Sequence, residues 1–102
     1  MSGGDLKARI DTGRLPVILD VREPSEAAIC SLPGARLIPL GELPRRLGEL
    51  DPNAEVVVHC KSGARSAKAV ALLRENGFVR ATNLTGGILS WINEIDPTLA
   101  RY

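Results

Sequence analysis

Aromatic residues are scarce in this chain, with one Phe, one Tyr and one Trp among 102 residues. The core must therefore be mostly aliphatic, and no aromatic platform for stacking bases is present. Thirteen basic and twelve acidic residues leave a formal charge of +1 with no basic run. That balance indicates neither a nucleic acid nor a membrane surface as partner. No apolar stretch approaches the about 20 residues that a membrane helix needs. Met1-Ser2-Gly3-Gly4 lacks the basic and apolar regions of a signal peptide and reads as a scar or linker. Two cysteines in different local contexts make no disulfide framework, which fits a reducing cytoplasm. No metal cluster with ligand spacing exists, no phosphate loop of the GxxxxGK type is found, and no cofactor is implied. What remains is one domain, residues 5–102.

Short apolar runs alternate with helix-like stretches throughout that domain. Asp5 is expected to cap a helix from Leu6 to Asp11, and Leu15 to Val21 reads as a strand buried on both faces. Ser25 to Ile29 makes a helical turn or two with Ser25 as cap. Ala35 to Leu40 is a short strand whose Pro39 places it at an edge. Leu43 to Leu50 spaces its leucines for one helical face, and Val56 to His59 is the second buried strand. A helix from Ser66 to Asn76 stops at Gly77, Phe78 to Leu84 reaches a last strand, and Ile88 to Ile95 forms a final helix. This order predicts an α/β fold, a mostly parallel sheet of about five strands with helices on both faces. In such sheets the functional crevice lies at the carboxyl ends of the strands, where Asp20, Arg22 and Cys60 fall.

Cys60 opens the segment Cys60-Lys61-Ser62-Gly63-Ala64-Arg65, between a buried strand and a helix N-terminus. Gly63 permits the curvature that turns successive N–H groups inward and makes an anion nest with Ala64 in its wall. A thiol at the centre of that nest ionises easily, and the thiolate is the nucleophile. Lowering an ordinary thiol by about two units from about 8.5 requires about 2.7 kcal/mol of differential stabilisation. The nest, the helix terminus and the cations Lys61 and Arg65 are expected to supply it, with both cations also holding an anionic substrate. Ser62 is either a hydrogen-bond donor or a small polar loop residue, and Ser66 has an N-cap explanation. Asp20 is expected to accept hydrogen bonds from the loop rather than serve only as a turn residue. Arg22 is expected to support the site, paired with Glu23 or Glu26 or lining the rim. His59, the only histidine, points to the opposite face from Cys60, which excludes a Cys–His base pair. Cys30 reads as a packed small side chain unless it lies near enough to Cys60 to resolve a disulfide.

Four segments in order resemble the rhodanese-like sulfurtransferases: Asp20-Val21-Arg22-Glu23, Leu32-Pro33-Gly34-Ala35, Cys60 through Ser66, and Gly86-Gly87 followed by Trp91. The ending from Trp91 to Pro97 is similar to the C-terminal rhodanese domain of the adenylyltransferase–sulfurtransferases, which serve molybdopterin, thiamine or thiocarboxylate-dependent cysteine synthesis. No adenylating domain accompanies it, so the resemblance leaves open an excised domain or a stand-alone sulfurtransferase. It implies that Cys60 takes sulfane sulfur from thiosulfate or a protein persulfide, such as that of a cysteine desulfurase. The Cys60 persulfide then passes its sulfur to an acceptor, which in those relatives is a ubiquitin-like sulfur carrier. Ser31 stands where many relatives have histidine. Dual-specificity phosphatases of the same fold have one more residue between cysteine and arginine, a wider cradle suited to phosphate. Arsenate reduction on this fold, a non-catalytic interaction module and a thiol switch are the other readings.

Overall fold

The computed structural model describes all residues, Met1–Tyr102. Its elements run α1 (Gly3–Asp11), β1 (Val17–Asp20), α2 (Pro24–Ala27), β2 (Arg36–Leu37) and α3 (Leu43–Arg46) with a 3₁₀ turn at Leu47–Glu49. Then come β3 (Val56–His59), α4 (Ala64–Glu75), β4 (Ala81–Asn83) and α5 (Gly87–Glu94). The sheet has four strands rather than about five, in the order β2-β1-β3-β4, and every neighbouring pair is parallel. From β1 the chain first moves outward to β2, then returns across to β3 and β4. The order therefore reverses between β1 and β3, the switch point beyond whose strand ends parallel sheets place their functional groups. Register pairs Asp20 with His59, so the ends of both central strands lie side by side.

Side-chain alternation divides the interior into two cores. Leu19, Val21, Val56, Val58 and Cys60 pack with Leu43 of α3 and Ala69, Val70 and Leu73 of α4. Ile18 and Val57 face the other way, against Leu6 of α1 and Ile88, Trp91 and Ile92 of α5. Strands covered on both faces need apolar residues at every position, which is why Val56-Val57-Val58 is a continuous run. His59 follows the second set, as alternation requires.

Several boundaries differ from expectation for identifiable reasons. Helix α1 begins at Gly3 because Ser2 caps it; Asp5, expected as the cap, instead completes a capping box by accepting from the Ser2 amide. Residues Ser2 to Gly4, read from the sequence as scar or linker, form that cap and first turn, and Gly3 is buried near Trp91 and Ile95. Likewise α2 begins at Pro24 after Glu23, not Ser25, because Glu23 and Glu26 form the capping box. At the far end of α4, Gly77 at φ +89° lets the Phe78 amide reach the Leu73 carbonyl and the Gly77 amide reach Arg74. That paired closure draws Phe78 into the core beside Leu73, so the strand expected from Phe78 begins only at Ala81.

His59 is fully buried, with Nε2 unpartnered and 3.8 Å from Asp20 Oδ2. Burial holds its pKa below the ordinary 6.5, against the pull of Asp20 and with Arg22 adding to the depression. Below pH 6.5 the unfolded chain binds the proton more readily than the native one, so stability falls with pH in that range. Thermal unfolding between pH 7.5 and 5.5 should show a falling midpoint, and His59→Asn should flatten that dependence.

Candidate active site

Strand β3 ends at His59, and the next residues, Cys60 to Gly63, form the turn into α4. Gly63 caps α4 at φ +124°, a conformation that side-chain-bearing residues rarely adopt. The Cys60 sulfur accepts from the Gly63 amide at 3.1 Å and the Ser66 amide at 3.4 Å, and lies 3.3 Å from the Ser66 hydroxyl. Burial pushes this thiol up. The Ser66 hydroxyl and the amides of Ser66, Gly63 and Ser62 outweigh it and hold the thiol below its usual value. No hydrogen bond runs from Lys61 or Arg65 to the sulfur: main-chain donors and Ser66 make the direct contacts, and Arg65 acts on Cys60 through its charge. The whole Cys60 residue is only 1% exposed, at the floor of the turn.

The inward amides are held by what happens to the carbonyls. Ile88 N–H donates to the Cys60 carbonyl at 3.0 Å and Leu89 N–H to the Lys61 carbonyl at 3.2 Å. These are first-turn amides of α5, which have no partner inside their own helix. With the Lys61 carbonyl drawn outward to α5, the Ser62 N–H of the same peptide turns toward the sulfur, and the Gly63 and Ser66 amides join it from the turn and the start of α4. Gly87 makes this approach possible: a Cβ there would lie 2.4 Å from the Lys61 oxygen and 2.8 Å from the Cys60 oxygen.

Ser66 is not the N-cap of α4 but its third residue, because the helix begins at Ala64. Its hydroxyl donates to Asn83 Oδ1 at 2.6 Å, while Asn83 Nδ2 donates to the Gly63 carbonyl at 3.2 Å. Asn83, at the end of β4, thus ties the turn to a third strand; sequence reasoning did not single it out. With the thiol protonated, S–H donates to Ser66 and Ser66 donates to Asn83. On ionisation the serine proton can swing to the sulfur.

Asp20 and Arg22 lie on the other face of the sheet and form a buried bidentate pair, with Nε–Oδ1 2.9 Å and Nη2–Oδ2 2.8 Å. Asp20 therefore accepts from Arg22 rather than from the loop. Arg22 neither lines the rim nor pairs with the Glu23 or Glu26 carboxylate; its other bonds go to the Cys30 carbonyl and Tyr102 hydroxyl. Its remaining contact toward Glu26 reaches the backbone oxygen at 3.4 Å. Cys30 belongs to the core across the sheet from Cys60, which removes it as a resolving thiol.

Arg65 grips the Glu26 carboxylate with both amino groups, at 2.5 and 2.9 Å. That contact is the main reason the Glu26 carboxyl is pulled down to about 2; burial opposes it, and the Tyr102 hydroxyl and Glu23 amide add to it. Lys61 places its ammonium 4.6 Å from the centre of the Tyr102 ring. Ser62 is exposed and Ala64 faces outward at the helix start. The cavity of about 340 Å³, lined by Arg9, Arg14, Glu55 and Arg80 among others, lies at the opposite, amino ends of the strands.

A single cysteine held by main-chain donors beyond a parallel sheet's carboxyl edge defines a class: enzymes that pass a group through a stabilised thiolate. Comparison with known proteins narrows that class. The pattern of the rhodanese-like domain matches residues 2–94, and the chain belongs to that family. It is 37% identical over 100 residues to the probable adenylyltransferase/sulfurtransferase MoeZ of Mycobacterium tuberculosis, covering 96% of this chain but 26% of that protein. It is 38% identical over 84 residues to a sulfurtransferase of Allochromatium vinosum, covering 82% and 78% of the two chains. A rhodanese-like domain protein from Staphylococcus aureus superposes with a TM-score of 0.86 at 32% identity, over 100% and 96% of the chains. The chain is thus a rhodanese-like domain, spanning about a quarter of the length of the adenylyltransferase/sulfurtransferase it matches.

Gly87→Ala should push the Cys60–Lys61 turn off α5 and scatter its amides. Sulfur transfer should fall at least about tenfold while circular dichroism still reports a folded protein. Unchanged activity in that variant would contradict the role given to the α5 approach.

Proposed function

We propose that Cys60 is the sulfur-accepting nucleophile. Its thiolate attacks the outer sulfur of thiosulfate, an S–S bond forms on Cys60, the donor's S–S bond breaks, and sulfite leaves with the electron pair. A protein persulfide, such as that of a cysteine desulfurase, serves the same role and leaves as a thiolate. The persulfide anion on Cys60 keeps the charge within reach of the same donors. The amides of Ser62, Gly63 and Ser66 and the Ser66 hydroxyl stabilise it, in a turn shaped by Gly63 and Ala64. Lys61 and Arg65 meet the donor's negative group, while Asp20 and Arg22 brace the strand ends beneath. Cyanide or a thiol then removes the outer sulfur and regenerates the Cys60 thiolate.

The physiological acceptor that fits best is a ubiquitin-like sulfur carrier, whose activated C-terminus would become a thiocarboxylate. Likeness to adenylyltransferase/sulfurtransferases supports it. Such chemistry requires Cys60 reduced, which suits the cytoplasm; no helix here is long and apolar enough to cross a membrane. One observation carries the reading above all: the sulfur is the shared acceptor of two main-chain amides.

Intact mass spectrometry after thiosulfate treatment should show one added sulfur, removed by cyanide and absent in Cys60→Ala. Hydrolysis of p-nitrophenyl phosphate without sulfur uptake would instead support a phosphatase. Ser66→Ala should raise the pH at which iodoacetamide alkylates Cys60 and slow sulfur uptake about ten- to hundredfold, the worth of one bond to a charged group.

A further inference from the structure

Both cations beside the sulfur turn are already occupied, and one residue connects their occupants. Tyr102 donates its hydroxyl to Glu26 Oε2 at 2.7 Å and accepts from Arg22 Nη1 at 3.0 Å. The same Glu26 carboxylate neutralises Arg65, and the Tyr102 ring carries the Lys61 ammonium. Asp20, Arg22, Tyr102, Glu26 and Arg65 thus form one chain of contacts that begins in a fully buried pair and ends at the turn. Tyr102 bonds Glu26 across 76 positions of sequence, and its side chain packs against the core on the α5 face.

An incoming dianion must compete with Glu26 for Arg65 and with the aromatic ring for Lys61. A donor with one negative charge gains less from those cations and so loses less to the competition. We propose that Tyr102 sets the donor preference at Cys60: by holding Glu26 on Arg65 and Lys61 over its ring, it favours persulfide-type donors of low charge over dianionic thiosulfate. Tyr102 is a positioning residue in this scheme, since it acts through Lys61, Glu26 and Arg65. The donor clause rests on the reading of Cys60 as sulfur acceptor; the electrostatic clause stands independently of it.

Two measurements test the scheme. In the first, Cys60 is alkylated at low ionic strength with anionic iodoacetate and neutral iodoacetamide, and the ratio of the rates reports the potential at the sulfur. Tyr102→Ala should raise that ratio about three- to tenfold by releasing Lys61, and 0.5 M salt should shrink the gain to about nothing. Glu26→Gln should raise it further. Tyr102→Phe, which keeps the ring and loses the hydroxyl, should fall between wild type and Tyr102→Ala. In the second, kcat/KM is compared for thiosulfate and for methanethiosulfonate, a singly charged donor. Tyr102→Ala should shift preference toward thiosulfate about three- to tenfold, through a lower thiosulfate KM with kcat little changed.

Wild-type ratios in both Tyr102 variants would overturn the proposal, whether or not Glu26→Gln responds. If Tyr102→Ala fails to fold by circular dichroism, the Phe variant decides alone. A wild-type protein that takes no sulfur from either donor would sink the sulfur-acceptor reading, while the alkylation ratios would still decide whether Tyr102 sets the potential at the sulfur.

Discussion

The sulfur site depends on where two carbonyls go. A buried turn whose carbonyls pointed inward would surround a thiolate with negative dipoles and repel it. In this chain the Cys60 and Lys61 carbonyls are drawn away by the Ile88 and Leu89 amides, which need acceptors for their own reasons at the start of α5. Two otherwise unsatisfied sets of polar groups resolve each other, which turns the Ser62 N–H of the Lys61–Ser62 peptide toward the sulfur and anchors the turn that presents the Gly63 amide. Gly87 is the steric condition for the arrangement, because only a residue without Cβ lets the helix start touch the turn.

Around that contact the fold is arranged in depth. Valines of β3 fix the position of Cys60 from both faces of the sheet, and α4 begins where Gly63 permits. Asn83 at the end of β4 orients Ser66, so a third strand takes part although none of its residues hydrogen-bonds the sulfur. The Asp20–Arg22 pair occupies the opposite face. Removing either partner of such a buried pair costs about 3–5 kcal/mol, which makes it a structural anchor for the strand ends. The cations at the turn are themselves engaged, Arg65 by the Glu26 carboxylate and Lys61 by the Tyr102 ring.

Much of this was legible in the residues. A continuous valine run, a cysteine, a glycine and a helical pattern placed β3, the turn and α4 in order, and strand alternation turned His59 away from Cys60. What escaped was set by distance along the chain. Glu26 meets Arg65 across 39 positions and Asn83 meets Ser66 across 17, and no local pattern marks either residue. Ser66 resembled a helix cap because the glycine before Ala64 takes over capping three residues earlier, which sequence periodicity does not reveal. Gly86-Gly87 stood out as one of the segments that carry the family resemblance, and its second glycine serves a close approach that only the packed helix shows.

Most of the groups that hold the sulfur are peptide N–H groups, and a substitution cannot delete a peptide N–H except by proline. Side chains at Ser62 and Ala64 are thereby released from the duty of stabilising charge. They can be exchanged to suit new donors or docking proteins while the reactive centre stays intact. Chemistry and selectivity are uncoupled at adjacent positions, so the turn can change what it meets without changing what holds the thiolate.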